Sequence, residues 1–238
     1  MCVEKARAWI EQASVVTVLT GAGISAESGI PTFRGAGGLW KQFRPEDLAT
    51  PDAFARDPDL VWQWYDWRRG LIHKAQPNAG HLALAELESR VPRFALVTQN
   101  VDGLHQRAGN RNVLEVHGSI WTLRCTRCAG EWHDLTVPLD LPPHCECGAL
   151  ARPGVVWFGE GLPRVVWSSA EAATMSCEVL LVVGTSAIVY PAAGLIDLAR
   201  SAGAKVVEVN LETTAISGYV DCALTGPAGE ILPKLLHP

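Results

Sequence analysis

The amino-acid sequence predicts an α/β protein that has a doubly wound parallel sheet and a small second domain formed by two insertions. Short apolar runs recur along the chain, and each is apolar nearly throughout, as in strands buried on both faces of a parallel sheet. Helical patterns lie between these runs, for example at 78–88 and at 191–200, where a proline stands in the first turn. Strands that alternate with helices are typical of a doubly wound domain. The predicted strands cover 15–19, 94–97, 113–116, 179–183 and 206–209.

Two stretches interrupt this alternation. Residues 30–75 form a long insertion rich in tryptophan, arginine and proline, and residues 121–158 hold four of the cysteines but few helix signals. We therefore expect these two stretches to form one small domain together. The large domain is then predicted to consist of 1–29, 76–120 and 159–238.

Composition limits the class of protein. The chain has 238 residues, of which 48% are hydrophobic and 19% charged, and this is enough apolar content for one sizeable core. A net charge of -5 provides no general basic field for nucleic acid, and no apolar run reaches the ~18 residues of a membrane span. The first 14 residues predict an amphipathic helix without a secretory apolar core. We expect a cytoplasmic monomer that binds neither nucleic acid nor membranes.

A glycine-rich turn follows the first predicted strand. Gly21, Gly23 and Ala26 match the G-x-G-x-x-G/A pattern, after a strand and before a predicted helix. Such a turn lets the backbone approach a pyrophosphate, whose charge the N–H groups of the helix start would bind. An ordinary strand-to-helix turn is the alternative. The acidic residue expected ~20 positions later is not found at a strand end, so the large domain is Rossmann-like without being an ordinary dehydrogenase half-domain.

Polar side chains follow the other predicted strands. Gln99, Asn100 and Asp102 come directly after the second strand, and His117 follows the third. Because ligands of open α/β sheets lie beyond the carboxyl ends of the strands, we expect these side chains to share one crevice with Gly21. In the alternative, Asn100 or Asp102 caps the next helix and the histidine is structural rather than a base. The last two strands also end in small or polar residues, at 184–186 and 210–212, which favours a shared pocket.

The cysteines of the second insertion predict a zinc site. Seven cysteines are too few for a disulfide scaffold in this chain, which favours metal binding in a reducing compartment. Cys125 and Cys128 form one close pair, and Cys145 and Cys147 form another, one residue tighter than usual. This spacing is close to that of a structural Cys₄ zinc site, in which four protein ligands leave no open position. Outside this set, His133 and His144 could substitute as ligands, while Cys2, Cys177 and Cys222 are expected to be core or surface thiols.

The ordered set of motifs resembles the sirtuin family of NAD-dependent protein-lysine deacylases, over about residues 14 to 230. This resemblance implies a Rossmann-like domain and a small zinc-binding domain formed by the two insertions. It also implies that NAD, as co-substrate, and acyl-lysine meet in the cleft between the domains. The motifs are 21–25 (GAGIS), 29–34 (GIPTFR), 98–102 (TQNVD), 117–118 (HG), the two cysteine pairs, 156–160 (VWFGE), 184–186 (GTS) and 210–212 (NLE).

The resemblance also implies catalytic and cofactor-binding roles. His117 is implied as the general base that, through the ribose hydroxyls, helps the acyl oxygen attack the nicotinamide ribose. Asn100 and Asp102 are implied to hold the nicotinamide end, and Phe33 to screen the reacting carbon from water. The implied products are deacylated lysine, nicotinamide and O-acyl-ADP-ribose. The implied cofactor positions are Gly21, Ala22, Gly23, Ser25, Glu27, Thr32, Phe33, Arg34, Trp40, Gln99, Asn100, Val101, Asp102, His117, Gly184, Thr185, Ser186, Asn210, Leu211, Glu212 and Ala228.

The substrate positions follow from the same resemblance. Two segments are implied to bind the acylated protein as an added strand between them. They consist of Val156, Trp157, Phe158, Gly159 and Glu160 on one side and of Val189 and Tyr190 on the other.

The acyl group has its own predicted pocket. Tyr65 and Arg68 are three residues apart and share one face of a predicted helix. On spacing alone, the alternative is an amphipathic helix with a solvated arginine. With Ala49, however, they match sirtuins that accept succinyl- and malonyl-lysine. Arg68 would bind a distal carboxylate, Tyr65 would donate a further hydrogen bond, and Ala49 would leave room, while deacetylation persists.

Two other functions would use part of the same site. A mono-ADP-ribosyltransferase or NAD glycohydrolase would use the cofactor pocket and His117, but it would need neither the peptide segments nor Tyr65 and Arg68. A non-catalytic NAD-sensing module would be expected to lack His117 or Asn100, and both are present.

Overall fold

The structure, a computed structural model, describes residues 2–33 and 38–236, apart from the side chain of Trp40. Strands of these residues form one six-stranded and one three-stranded sheet. They are β1 (Val15–Thr20), β2 (Arg93–Thr98), β3 (Val113–Glu115), β4 (Gly118–Cys125), β5 (Glu131–His133), β6 (Ala151–Val155), β7 (Val179–Val183), β8 (Lys205–Asn210) and β9 (Cys222–Thr225).

Helices separate the strands of the large sheet. Two short 3₁₀ segments, Ala22–Ser28 and Leu39–Lys41, add to them. The α-helices are α1 (Cys2–Gln12), α2 (Pro45–Leu48), α3 (Pro51–Arg56), α4 (Pro58–Lys74), α5 (Ala79–Arg90), α6 (Leu104–Ala108), α7 (Arg164–Ser176), α8 (Gly194–Ser201) and α9 (Ala228–Leu236).

The large sheet is parallel and has the order β3-β2-β1-β7-β8-β9. Apolar residues of α1, α5 and α9 pack on one face of the sheet, and those of α7 and α8 pack on the other. The strand order reverses between β1 and β7, which are neighbours. A crevice forms at such a reversal, beyond the carboxyl ends of the strands. The predicted fold class is therefore confirmed.

The small sheet is antiparallel, with β4 between β5 and β6. Helix α4 packs against it through a separate apolar cluster. The Trp62 indole donates to the Ala151 carbonyl at 2.9 Å, and the buried Arg69 guanidinium donates to the carbonyls of Ile120, Asp134 and Thr136. Both predicted insertions thus contribute to one cluster, although the exact domain boundaries remain a prediction.

Several elements differ from the prediction. The helix predicted from 191 begins at Gly194, because the preceding residues are joined by tight i to i+3 bonds such as Gly194 N–H to Pro191 O. The segment after β1 is a 3₁₀ helix rather than an α-helix. Strand β9 was not predicted, since it has only four residues with alternating burial at the sheet edge. None of the described helices has the length and apolar composition of a membrane span.

The expectation of separate thiols at Cys2 and Cys222 was wrong. The two residues form a disulfide, with their Cα atoms 5.9 Å apart, although they are 220 positions apart in sequence. Helix α1 packs beside β9, so the fold brings together two cysteines that ligand spacing could not relate. Cys177 is a buried free thiol, as expected.

Candidate active site

Glycines line the reversal point because the turns after β1 and β7 touch there. A Cβ at Gly21 would lie 2.8 Å from the Thr185 side chain, and one at Gly23 would lie 2.7 Å from Gly184. Gly184 itself has a φ of +60°, and its own Cβ would lie 2.3 Å from the Ile24 nitrogen. Both turns therefore need glycine for contact with each other. The floor that they form is bare backbone, which a pyrophosphate can approach closely.

This floor belongs to a cleft of about 840 Å³. Most of the predicted site lines it. Ser25 and Asp102 do not, because they lie behind the wall, and Arg34 and the side chain of Trp40 lie outside the described residues. The predicted residues that line the cleft are Gly21, Ala22, Gly23, Glu27, Thr32, Phe33, Ala49, Tyr65, Arg68, Gln99, Asn100, Val101, His117, Val156, Trp157, Phe158, Gly159, Glu160, Gly184, Thr185, Ser186, Val189, Tyr190, Asn210, Leu211, Glu212 and Ala228.

A buried polar cluster supports one end of the cleft. The Asn100 amide donates to the Gly21 carbonyl at 3.1 Å and to Ser25 Oγ at 3.3 Å, and Ser25 Oγ donates to Asp102 Oδ2 at 2.8 Å. Burial raises the pKa of Asp102, although the hydrogen bonds from Leu104 and Ser25 oppose the shift. Asp102 Oδ1 also accepts the Leu104 N–H at the start of α6, at 2.9 Å. Asp102 thus binds the first residue of α6 as well as Ser25, although Gly103 rather than Asp102 is the N-cap of that helix.

His117 lies at the centre of the cleft wall. Its Nδ1 is 3.1 Å from the Gln99 carbonyl oxygen. A carbonyl only accepts, so Nδ1 carries the proton and the neutral ring keeps a lone pair on Nε2. Burial lowers the pKa of His117, and the bond to Gln99 opposes this shift. The side chain is therefore neutral at pH 7 and able to accept a proton.

The other half of the cleft lies over β7, β8 and the start of α9. Thr185 is fixed there by two amides, because Gln99 Nε2 donates to its Oγ1 at 3.0 Å and Asn210 Nδ2 donates to its carbonyl at 2.8 Å. The Glu27 carboxylate accepts the Gly229 N–H at 2.7 Å, in the first turn of α9. These contacts hold three strand ends around one elongated space, as an extended dinucleotide requires.

The two predicted peptide segments both line the cleft. One is anchored at two residues, since Val156 N–H donates to the His117 carbonyl at 2.9 Å and Phe158 N–H donates to the Ala49 carbonyl at 3.0 Å. The Phe158 and Tyr190 side chains are exposed at 45% and 71%. Large exposed apolar groups beside a cleft suit contact with another polypeptide.

The helix pair Tyr65 and Arg68 is buried rather than solvated. The two side chains are 2% and 7% exposed. The Arg68 guanidinium carbon lies 4.8–4.9 Å from the ring centres of Trp64 and Phe33 and 5.7 Å from that of Tyr65. Burial lowers the pKa of Arg68, against the influence of Tyr65 and Asp102, but a guanidinium remains protonated in proteins. The solvated-helix alternative is therefore wrong for this arginine.

Some residues of the site were not predicted. Trp64 stands one turn before Arg68, at i and i+4, so helical spacing alone would have found it. Ala26 is the last position of the glycine-rich motif, which also pointed to it, and no sequence signal marked the remaining ones. The unpredicted lining residues are Ala26, Trp64, Val155, Leu162, Pro191, Val209, Thr213, Thr214 and Pro227.

The four predicted zinc ligands lie together in the small domain. Their sulfur atoms are all within 4.8 Å of one another. The Cys125–Cys147 and Cys128–Cys145 sulfur distances are 3.5 and 3.7 Å. A tetrahedral site with Zn–S bonds of about 2.3 Å separates its sulfurs by about 3.8 Å. The residues therefore fit a structural zinc ion.

We expect purified protein to contain one equivalent of zinc. The double variant Cys125→Ser/Cys128→Ser should lose the metal and the folded small domain, because structural zinc supplies folding free energy. Cys177→Ala, which removes a thiol outside the cluster, should retain one equivalent. Elemental analysis with circular dichroism measures both, and a folded, active wild type with less than about half an equivalent would refute the site.

Comparison with known proteins agrees with this geometry. The Sir2 family model matches residues 21–191. NAD-dependent protein deacylase 2 of Pyrobaculum aerophilum is 57% identical, over 92% of this chain and 89% of that protein. A solved Sir2 homologue–NAD complex is 48% identical with a TM-score of 0.93, over 98% of this chain and 92% of that one. A solved Sir2 protein bound to an acetylated peptide is 30% identical with a TM-score of 0.89, over 99% and 98% of the two chains.

These matches span nearly the whole chain and exceed what a shared fold alone would give. The predicted NAD and zinc cofactors are confirmed together with the predicted family. The chain belongs to the Sir2, or sirtuin, family.

Proposed function

We propose that this NAD-dependent protein deacylase removes succinyl and malonyl groups from lysine, and acetyl groups as a lesser activity. One observation carries the proposal. Among residues 2–33 and 38–236, the buried Arg68 guanidinium forms no ion pair and no hydrogen bond, although it lines the cleft. The neighbouring Arg69, by contrast, binds carbonyls and Asp134 through both of its terminal guanidinium nitrogens.

A buried cation without a directly bonded anion is costly, so such a group indicates a missing partner. Aromatic rings supply part of the compensation, through the faces of Phe33, Trp64 and Tyr65. They offer no acceptor for the five N–H donors of Arg68. A planar carboxylate would accept two of them at once. An acyl chain that ends in a carboxylate supplies this group, and an acetyl group does not.

The surroundings support the same assignment. Ala49 is small and buried, and its carbonyl anchors the peptide segment through Phe158 N–H. The acyl-lysine therefore has a path from the peptide segment to Arg68 inside the same cleft. Bound NAD supplies an electrophilic ribose carbon and a nicotinamide leaving group. His117 Nε2 is in position to take a proton in this cleft, and the Asn100 cluster holds its wall.

The products of NAD with a succinyl-lysine peptide test the proposal. Mass spectrometry should find free lysine peptide, nicotinamide and O-succinyl-ADP-ribose in equal amounts, faster than the corresponding products from acetyl-lysine. An ADP-ribosylated peptide would instead indicate a transferase. Free ADP-ribose with the acyl peptide intact would indicate a glycohydrolase, and NAD binding without any product would indicate a sensing module. Each of these three outcomes contradicts the proposal.

A further inference from the structure

The Trp157 indole connects the peptide segment to the acyl pocket. Its Nε1 donates a hydrogen bond of 3.0 Å to the Tyr65 hydroxyl oxygen, and both side chains are buried. An indole N–H can only donate, whereas a phenol oxygen accepts through its lone pairs and donates its single proton. The Tyr65 proton is therefore not used in this bond.

The direction of that proton is restricted. A phenol O–H lies near the plane of its ring, which leaves two orientations, and it does not point at the N–H that its own oxygen accepts. Tyr65 makes no other hydrogen bond with the part of the chain that the structure describes. It lines the same cleft as Arg68, whose guanidinium carbon lies 5.7 Å from its ring centre. The proton thus has no acceptor among the described residues and is available to a group bound in the cleft.

The indole itself is held firmly. The Arg152 guanidinium carbon lies 3.5 Å from the centre of the Trp157 ring. Arg152 binds both Glu160 oxygens, at 2.6 and 2.9 Å, and Glu160 Oε2 accepts the Trp157 N–H at 2.8 Å. Arg152 and Glu160 thus hold the tryptophan by its ring face and by its backbone. A side chain that is held on two sides can fix the orientation of a third group.

We propose that Trp157 is a positioning residue for acyl selectivity, because its indole N–H directs the Tyr65 hydroxyl proton toward the distal acyl group. Tyr65 then donates to the carboxylate that Arg68 binds. The selectivity of the site thereby depends on Trp157, Arg152 and Glu160, beyond the pair that contacts the acyl group. This inference rests on the proposed preference for succinyl and malonyl groups.

Trp157→Phe tests the inference, because phenylalanine keeps an aromatic ring and removes the N–H. We expect the ratio of succinyl to acetyl kcat/KM to fall about three- to tenfold, which is the net contribution of an ordinary hydrogen bond. The loss should appear in KM for the succinyl peptide, since a contact remote from the reacting atoms stabilises ground state and transition state alike. A merely structural loss would lower kcat for both substrates and leave the ratio constant, which would overturn the inference.

A double-variant cycle identifies the route of the effect. In a Tyr65→Phe background no hydroxyl proton remains to be directed, so adding Trp157→Phe should leave the ratio unchanged. An equal fall in both backgrounds would mean that Trp157 acts by another route, and the inference would be wrong.

Trp62→Phe is the matched control. Trp62 is also buried and also donates its indole N–H, to the Ala151 carbonyl at 2.9 Å, but it does not line the cleft. Its loss should cost comparable stability without changing the ratio.

Arg68→Met in the same assay separates the two proposals. If Arg68→Met lowers the ratio and Trp157→Phe does not, only the present inference fails. If Arg68→Met leaves the ratio unchanged, the proposed acyl preference is wrong, and the present inference, which rests on it, is wrong as well.

Discussion

Replacing His117 with alanine should abolish deacylation of every acyl-lysine substrate, with a loss of about 10²–10⁴ in kcat. The reason is the protonation state of the imidazole ring. The Gln99 carbonyl holds the proton on Nδ1, so Nε2 of this cleft-lining residue keeps the lone pair of a base. Alanine leaves the cleft without a proton acceptor at this position. Steady-state kinetics with succinyl- and acetyl-lysine peptides measures the loss.

The pH dependence of the wild type gives a second readout of the same residue. Burial lowers the pKa of His117 below the ordinary value of 6.5, so the neutral form persists at lower pH than in an exposed histidine. Because the neutral form is the base, kcat/KM should hold as the pH falls to 6.5 and decline only below that value. This acid limb should disappear from whatever activity remains in His117→Ala.

Two controls separate a lost base from a lost fold. NAD should still bind to His117→Ala in calorimetry, because the glycine floor of the cleft does not depend on this side chain. His133→Ala removes an exposed histidine of β5 and should keep full activity. Turnover at the wild-type rate in His117→Ala would exclude it as the base, and loss of activity in both variants would mean that the effect is not specific.

The parts of the fold that the sequence predicted well are those where burial is uniform. The strands at β1, β2, β7 and β8 are apolar on both faces, so their composition alone marks them. Strand β9 alternates buried and exposed residues over four positions, a signal too short to separate from a loop. The link between Cys2 and Cys222 depends on the packing of α1 beside β9, which no local spacing encodes.

In the candidate site too, local sequence predicts some features, and others depend on how distant segments pack. Glycines and polar residues at strand ends could be predicted, because topology brings the ends of parallel strands to one edge. The burial of Arg68 could not be predicted from helical spacing, since the same spacing fits a solvated face. It depends on Phe33 and Trp64, which reach the guanidinium from a separate segment and from the preceding turn of α4. The contact between Trp157 and Tyr65 joins residues 92 positions apart and is likewise a product of the fold.

Arg68→Met is expected to have the largest effect on selectivity. Methionine keeps much of the side-chain volume in the aromatic surroundings and removes the charge. Removing one partner of a buried charge pair costs about 2–5 kcal/mol. At about 1.4 kcal/mol per tenfold, the ratio of succinyl to acetyl kcat/KM should fall at least about 30-fold. Acetyl-lysine makes no contact with the charge, so its kcat/KM should change much less, or rise as a buried unpaired cation is removed.

The measurement is the ratio of succinyl to acetyl kcat/KM in the wild type, in Arg68→Met and in Tyr65→Phe. Tyr65→Phe should lower this ratio less than Arg68→Met does, by the contribution of about one hydrogen bond. Arg107→Met is the matched control. Its guanidinium binds the Ile72 and Ala75 carbonyls at the end of the same helix, outside the cleft, and so its loss should leave the ratio unchanged.

The ratio is decisive because it cancels effects common to both substrates. A variant that folds less completely, binds NAD more weakly or lowers the active fraction reduces both values of kcat/KM by the same factor. Only a group that distinguishes a distal carboxylate from a methyl changes their quotient. A constant ratio in Arg68→Met would mean that the buried guanidinium serves the aromatic cluster of Phe33 and Trp64 rather than the acyl group. The deacylase would then have no charge-based preference for acidic acyl chains.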